Sequence, residues 1–230
     1  MINVLTFIPL LMALHSLKKR MPEAMVDNSK ATPDMTRFLE GFRYIWLHRE
    51  MAVILVMSFL ICSLGMNFSV YLSAMMVQVF QGSADQYGVV MSMMAIGSIS
   101  GALVTAGRRS SPTFRFMICV ALMFSISCLL VARGPSFWSL AVLLILLGLS
   151  LQLFTTSTAS YMQVATEKRY RGRVMAVVLA TALGSTALGA PVVGWVADAF
   201  GARWSIGMGG VSGMVAAALG FWFLRRRQAT

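Results

Sequence analysis

The sequence predicts an all-α integral membrane protein, a bundle of six membrane-spanning helices preceded by a partial helix. Three observations carry that expectation. Six long stretches contain no Asp, Glu, Lys or Arg. Of the 230 residues, 58% are hydrophobic and only 12% charged, against about 25% charged in soluble domains. The basic residues fall almost entirely in alternate connections between the apolar stretches. A water-soluble fold of this length has no interior large enough to hide that much apolar surface.

The chain opens on an apolar run, Ile2 to Leu17. At ~1.5 Å per residue its helix would be ~24 Å long, short of the ~30 Å hydrocarbon core, so it reads as a partial span cut at its front end. A signal peptide carries positive charge before its apolar stretch. Here Lys18, Lys19 and Arg20 come after it. The polar segment that follows, RMPEAMVDNSKATPD, has linker composition. After it, TRFLEGFRYIWLHRE places Phe38, Leu39, Phe42, Ile45 and Trp46 on one helical face. Such a helix either lies in the membrane interface or packs on another part of the protein.

The six long runs are Met51 to Ala84, Gln86 to Gly107, Phe116 to Ala132, Gly134 to Thr166, Val174 to Ala197, and Trp204 to Leu224. Lipid offers backbone amides no hydrogen-bond partner, and no run shows the ~10-residue alternation of a barrel strand. Helices are therefore expected throughout. Cys62, Cys119 and Cys128 fall inside these runs without a CxxC pair or a nearby His, and read as small buried hydrophobes.

With these spans assigned, seventeen Lys and Arg residues lie on one side of the membrane and two, Arg133 and Arg203, on the other. The excess marks the cytoplasmic side and places the C-terminus there. The net charge of +11 is then explained without nucleic acid. TEKRYRGRVMAV, with four cations between Lys168 and Arg173, becomes a cytoplasmic turn that anchors topology. Gly172 is expected to permit the turn. Arg171 and Arg173 are candidates to pair with acids of an opposing half.

Polar side chains inside spans are costly and point to a pathway. Asn67, Tyr71 and Gln78 are spaced to share one helical face, as are Gln152, Thr156 and Gln163. Either the two stripes line a water-accessible substrate cavity, or the groups hydrogen-bond between packed helices and near headgroups. No acid or base lies deep in any span, so this part of the chain lacks the ionisable group that proton or ion coupling needs. Small residues supply the packing signal: Gly97 and Gly101, Gly209 and Gly213, and the stretch Gly184 to Gly194 with Gly189 and Pro191. These are expected to bring helices close together, with Pro191 kinking its helix. There is no HExxH, GxSxG or P-loop; His15 and His48 stand alone. The expectation is a non-enzyme without cofactor or metal.

Four stretches carry a family resemblance: EGFRYIWLHREM, QYGVVMSMMAIGSISGAL, YMQVATEKRYRGRVMAV and ALGAPVVGWVADAFGARW. Together they resemble the C-terminal half of a major facilitator superfamily transporter, most like the bacterial exporter branch that contains the enterobactin exporter and macrolide efflux proteins. The resemblance implies a major-facilitator-type six-helix bundle of two inverted three-helix repeats. Residues 1–17 would be a remnant of the sixth helix and 18–50 the central cytoplasmic loop. Residues 51–224 would form the C-terminal half and 225–230 a basic cytoplasmic tail. The first helix of each repeat, carrying Asn67 and Gln152, would line the central cavity. The family's gating motif after the eighth helix would be GALVTAGRR, with Arg108 and Arg109, but Thr105 stands where an acid is expected.

The function implied is export of drug-like or siderophore-like small molecules across the bacterial inner membrane by alternating access, the chain alone being transport-incompetent. Its partners would be membrane lipid, a small-molecule substrate, and an N-terminal transporter half or a second copy. The alternative is a membrane-embedded interaction or regulatory subunit; a membrane enzyme ranks third.

Overall fold

A computed structural model describes residues 35–108 and 110–228. The expected partial helix at 2–17, the linker after it, and Arg109 lie outside the described residues. Every element among the described residues is helical: α1 (Met35–Leu47), α2 (Arg49–Gly65), α3 (Phe68–Gln78), α4 (Ala84–Ala106), α5 (Phe114–Arg133), α6 (Phe137–Ala165), α7 (Arg171–Phe200) and α8 (Ala202–Gln228). Among the described residues, six spans are long and apolar enough to cross a membrane, the first being α2 and α3 together.

Polar caps set several helix starts. Ser83 accepts from the Gln86 amide while the Gln86 side chain accepts from the Ser83 amide, so Gln86 belongs to the first turn of α4. Ser136 and Ser139 repeat the arrangement at α6. Charged residues extend the helices past the apolar runs. α7 begins at Arg171, and α8 continues through Arg225, Arg226 and Arg227 instead of giving way to a tail after Leu224. Gly172 is inside α7 with ordinary helical geometry, so it makes no turn. The glycine that does is Gly201, whose φ of 95° lets α7 reverse into α8.

The first span is broken at Met66 and Asn67, which sequence reading ran through as one helix. A break in hydrocarbon exposes backbone carbonyls that only protein can satisfy. Asn67 Nδ2 donates to the Ser63 carbonyl at 2.8 Å, and the Tyr71 hydroxyl donates to the Gly65 carbonyl at 3.1 Å. Two other spans cross here. A Cβ on Gly189 of α7 would run into the Ser63 carbonyl oxygen, and one on Gly209 of α8 would touch the Gly65 Cα at 3.4 Å.

The spans pack as two interleaved triplets. In the order span 1 (α2–α3), 2 (α4), 3 (α5), 4 (α6), 5 (α7) and 6 (α8), the principal partners are 2 with 4, 1 with 5, 3 with 6, 1 with 6, and 3 with 4. Exchanging 1 with 4, 2 with 5 and 3 with 6 maps this set onto itself. Consecutive spans alternate in direction, so spans 1 and 4 run oppositely and the repeat is inverted, as expected. Glycines also permit the close crossing of α4 against α6. A Cβ on Gly97 would strike the Ile145 carbonyl, one on Gly101 the Leu149 carbonyl, and one on Gly148 the Met94 carbonyl. By contrast, Gly184 meets nothing within 4 Å and Gly194 only a Val70 methyl at 4.0 Å. These two were expected to pack helices and do not. α7 passes through Pro191 as one continuous helix. Cys62 and Cys128 are buried, but Cys119 faces outward.

Contacts at the two ends of the bundle agree with alternating spans. Arg173 at the start of α7 pairs with Glu40 of α1, and Glu50 at the start of α2 joins Tyr161 and Arg227 at the ends of α6 and α8. At the other end Phe80 meets Phe137 edge-on at 6.3 Å, and Gln78 Oε1 accepts from the Ala202 amide at 3.2 Å. Cysteines placed at the exposed positions Ala84 and Ser110, in a background without native cysteine, are therefore expected to react with impermeant maleimide from opposite sides. Labelling of both from one side would overturn the span order.

Candidate functional site

The three polar positions of the first span are occupied structurally. Asn67 and Tyr71 are buried and repair the break between α2 and α3, and Gln78 satisfies the first backbone amide of α8. They do not present a free polar stripe.

The α6 positions differ. Thr156 Oγ1 donates to the Gln152 carbonyl at 2.6 Å and lies 3.0 Å from Thr105 Oγ1 on α4. Gln152 sits over Gly101, whose absent Cβ leaves room for the Gln152 stem. The Gln152 amide is half-buried and makes no hydrogen bond among the described residues. Gln163 is exposed, near the end of α6. These positions follow one side of the helix toward the end that carries the basic residues.

At that end is a cluster that sequence reading did not connect. Glu50 accepts from the Tyr161 hydroxyl and from Arg227 Nη1, tying α2, α6 and α8 together. Glu50 stands directly before an apolar run and reads as an ordinary charged flank; nothing in a single sequence links it to a tyrosine 111 positions away. Arg173 pairs with Glu40, an acid of this same chain, where an opposing half was expected to supply the partner. Gly41 allows the approach, since a Cβ there would meet the Arg173 carbonyl at 2.7 Å. Tyr44 stacks on Tyr170 at 4.8 Å, and Ile45 is fully buried. Helix α1 is thereby docked through Gly41, Tyr44 and Ile45. Phe38, Leu39, Phe42 and Trp46 point outward, so the predicted apolar face is split between protein and surroundings. Arg171 is exposed, and Arg108 lies over the Phe116 ring at 3.7 Å. Among the described residues no group of three His, Cys, Asp or Glu is placed to hold a metal.

A family profile described as Major Facilitator Superfamily matches residues 6–230. The chain belongs to the major facilitator superfamily. Members of this superfamily are transporters rather than enzymes. A curated relative, the staphyloferrin A transporter of Staphylococcus aureus, is 27% identical over 190 residues, which cover 80% of this chain and 46% of the relative. The chain thus spans about half the length of the curated relative it matches. No solved structure matches. A neutral hydroxyl pair, Thr105 with Thr156, joins α4 to α6.

Proposed function

We propose that this chain is the C-terminal six-helix module of a secondary-active exporter of drug-like or siderophore-like small molecules, working by alternating access in a bacterial inner membrane with its C-terminus cytoplasmic. The observation that carries the reading is Gln152, a half-buried amide within a membrane span with no partner among the described residues. Such a group is costly in lipid unless a ligand or water-filled path meets it. With Thr156 and Gln163 it forms the polar side of α6 that a substrate would pass. Two further facts support the reading. The equivalent spans α4 and α7 are the least buried of the six, leaving the faces that a second six-helix unit would cover. The relative spanning roughly twice this length is named a staphyloferrin A transporter.

The test is efflux of a fluorescent drug from cells expressing this chain alone, and from cells co-expressing an N-terminal six-helix unit. Transport is expected only in the completed form, with Gln152→Leu lowering it by up to about tenfold, the ~1.5 kcal/mol upper end of a typical net hydrogen bond. Robust efflux from the monomer alone would overturn the half-transporter reading. Undiminished efflux by Gln152→Leu in the completed form would remove Gln152 from the path.

A further inference from the structure

Helix α1 reaches across the ends of two neighbouring spans. A Cβ on Gly41, near its middle, would meet the Arg173 carbonyl oxygen at 2.7 Å, and Tyr44 stacks on Tyr170 at 4.8 Å. Its last residue, Leu47, leads through His48 straight into α2. Arg173 directly precedes the apolar run that opens at Val174, and His48 stands just before the run that opens at Met51. Both attachments are therefore at the level where a span enters hydrocarbon. From Gly41 to Leu47 is ~9 Å at ~1.5 Å per residue, and packed helices such as α2 and α7 lie ~8–10 Å apart. A helix that meets both spans at one level runs along the membrane plane and not through it.

At ~100° per residue, α1 has three sides. Gly41, Tyr44 and Ile45 face the protein, with Ile45 fully buried. Phe38, Leu39, Phe42 and Trp46 fall together on a second side and are all exposed, the Phe42 and Trp46 rings stacked at 5.6 Å. Thr36, Glu40 and Arg43 fall on the third and are also exposed, joined by one apolar residue, Leu47, at the helix end. A rod lying flat at the rim of a membrane-embedded bundle meets three media: protein, the lipid boundary and water. Helix α1 has one side suited to each.

We propose that α1 is a membrane-surface strap. Phe38, Leu39, Phe42 and Trp46 sit among lipids at the boundary of headgroups and acyl chains, while Glu40 and Arg43 turn toward water. Apolar area carries the seating, so neutral phosphatidylcholine suffices, and the Trp46 indole suits the headgroup layer. Because the protein side of the strap sets Gly41 against Arg173 and Tyr44 against Tyr170, lipid seating also holds the start of α7 in place. The proposal rests on the membrane-spanning fold and not on the direction or substrate of transport.

The test places one nitroxide label at a time on Phe38→Cys, Phe42→Cys, Trp46→Cys, Glu40→Cys and Arg43→Cys. The full chain carries Cys119→Ser, its buried Cys62 and Cys128 stay, and it is reconstituted in phosphatidylcholine vesicles. Power-saturation EPR compares collisions with oxygen, which concentrates in lipid, and with a water-soluble nickel chelate. Labels at positions 38, 42 and 46 are expected ~5–10 Å inside the headgroup boundary, and those at 40 and 43 outside it. Dominant nickel collisions at every position would overturn insertion. Protection from both reagents at 42 and 46 would show that protein covers the face, and spin–spin broadening that sharpens on dilution with unlabelled chain would name a second copy. Either result would overturn the lipid seat. For the hold on α7, Phe42→Ser/Trp46→Ser is expected to raise the mobility of a nitroxide at Arg171→Cys, an exposed position in the first turn of α7. Should that double variant fail to fold, Trp46→Ser alone is expected to give a smaller increase. An unchanged spectrum at position 171 would overturn the hold.

Discussion

Gly189→Val is expected to destabilise the bundle by about 3 kcal/mol or more, while Gly184→Val, five positions earlier on the same helix, leaves it intact. At Gly189 a new Cβ would collide with the Ser63 carbonyl oxygen. That oxygen accepts from Asn67 Nδ2 at the break between α2 and α3. Backbone cannot rotate aside as a side chain can, so α7 would have to withdraw from α2. Withdrawal would strip the hydrogen bond from Thr186 Oγ1 to the Cys62 carbonyl. Overpacking ordinarily costs about 1–3 kcal/mol, and displacement of two spans places this substitution at or beyond the upper end. At Gly184 a Cβ meets nothing within 4 Å. Detergent size-exclusion profiles and thermal melting of the two variants provide the comparison. Two monodisperse proteins of similar melting temperature would contradict the close crossing of α2 and α7.

Glu50→Ala is expected to have the next largest effect, because one carboxylate holds the ends of three spans. It removes a hydrogen bond from Tyr161 and an ion pair with Arg227. Hydrogen bonds to charged groups are worth about 1.5–3 kcal/mol, whereas an exposed ion pair contributes about 0–1 kcal/mol. The Arg227 side chain is 64% exposed against 28% for Glu50. The order of destabilisation should therefore be Glu50→Ala first, Tyr161→Phe second and Arg227→Ala least. Backbone hydrogen exchange at the end of α8 is the readout, with faster exchange in the same order. Arg227→Ala matching Glu50→Ala would mean that the ion pair, and not the tyrosine, carries the junction.

How far the sequence could be read depended on whether a feature was local. The apolar runs became spans because hydrocarbon tests each segment on its own, by length and lack of charge. The interfacial face of α1 was also local, and the structure divides it: Ile45 is buried while Phe42 and Trp46 remain outward. The polar stripes show the limit. Asn67 and Tyr71 have the spacing of a cavity wall, yet both side chains bond carbonyls at a helix break that no spacing rule signals. The glycines show it again, since Gly184 and Gly189 are equal as sequence and opposite as contacts. Family resemblance supplied the inverted repeat, which the interleaved partners of the six spans then reproduce.

By itself the sequence determined the six spans among the described residues, because transfer into lipid acts residue by residue along a segment. Only the tertiary structure decided which glycines are contacts, which polar groups are already satisfied, and that Glu50, Tyr161 and Arg227 meet. Those are relations between segments far apart in the chain, created when six helices pack, and each depends on the angle and depth at which another backbone arrives.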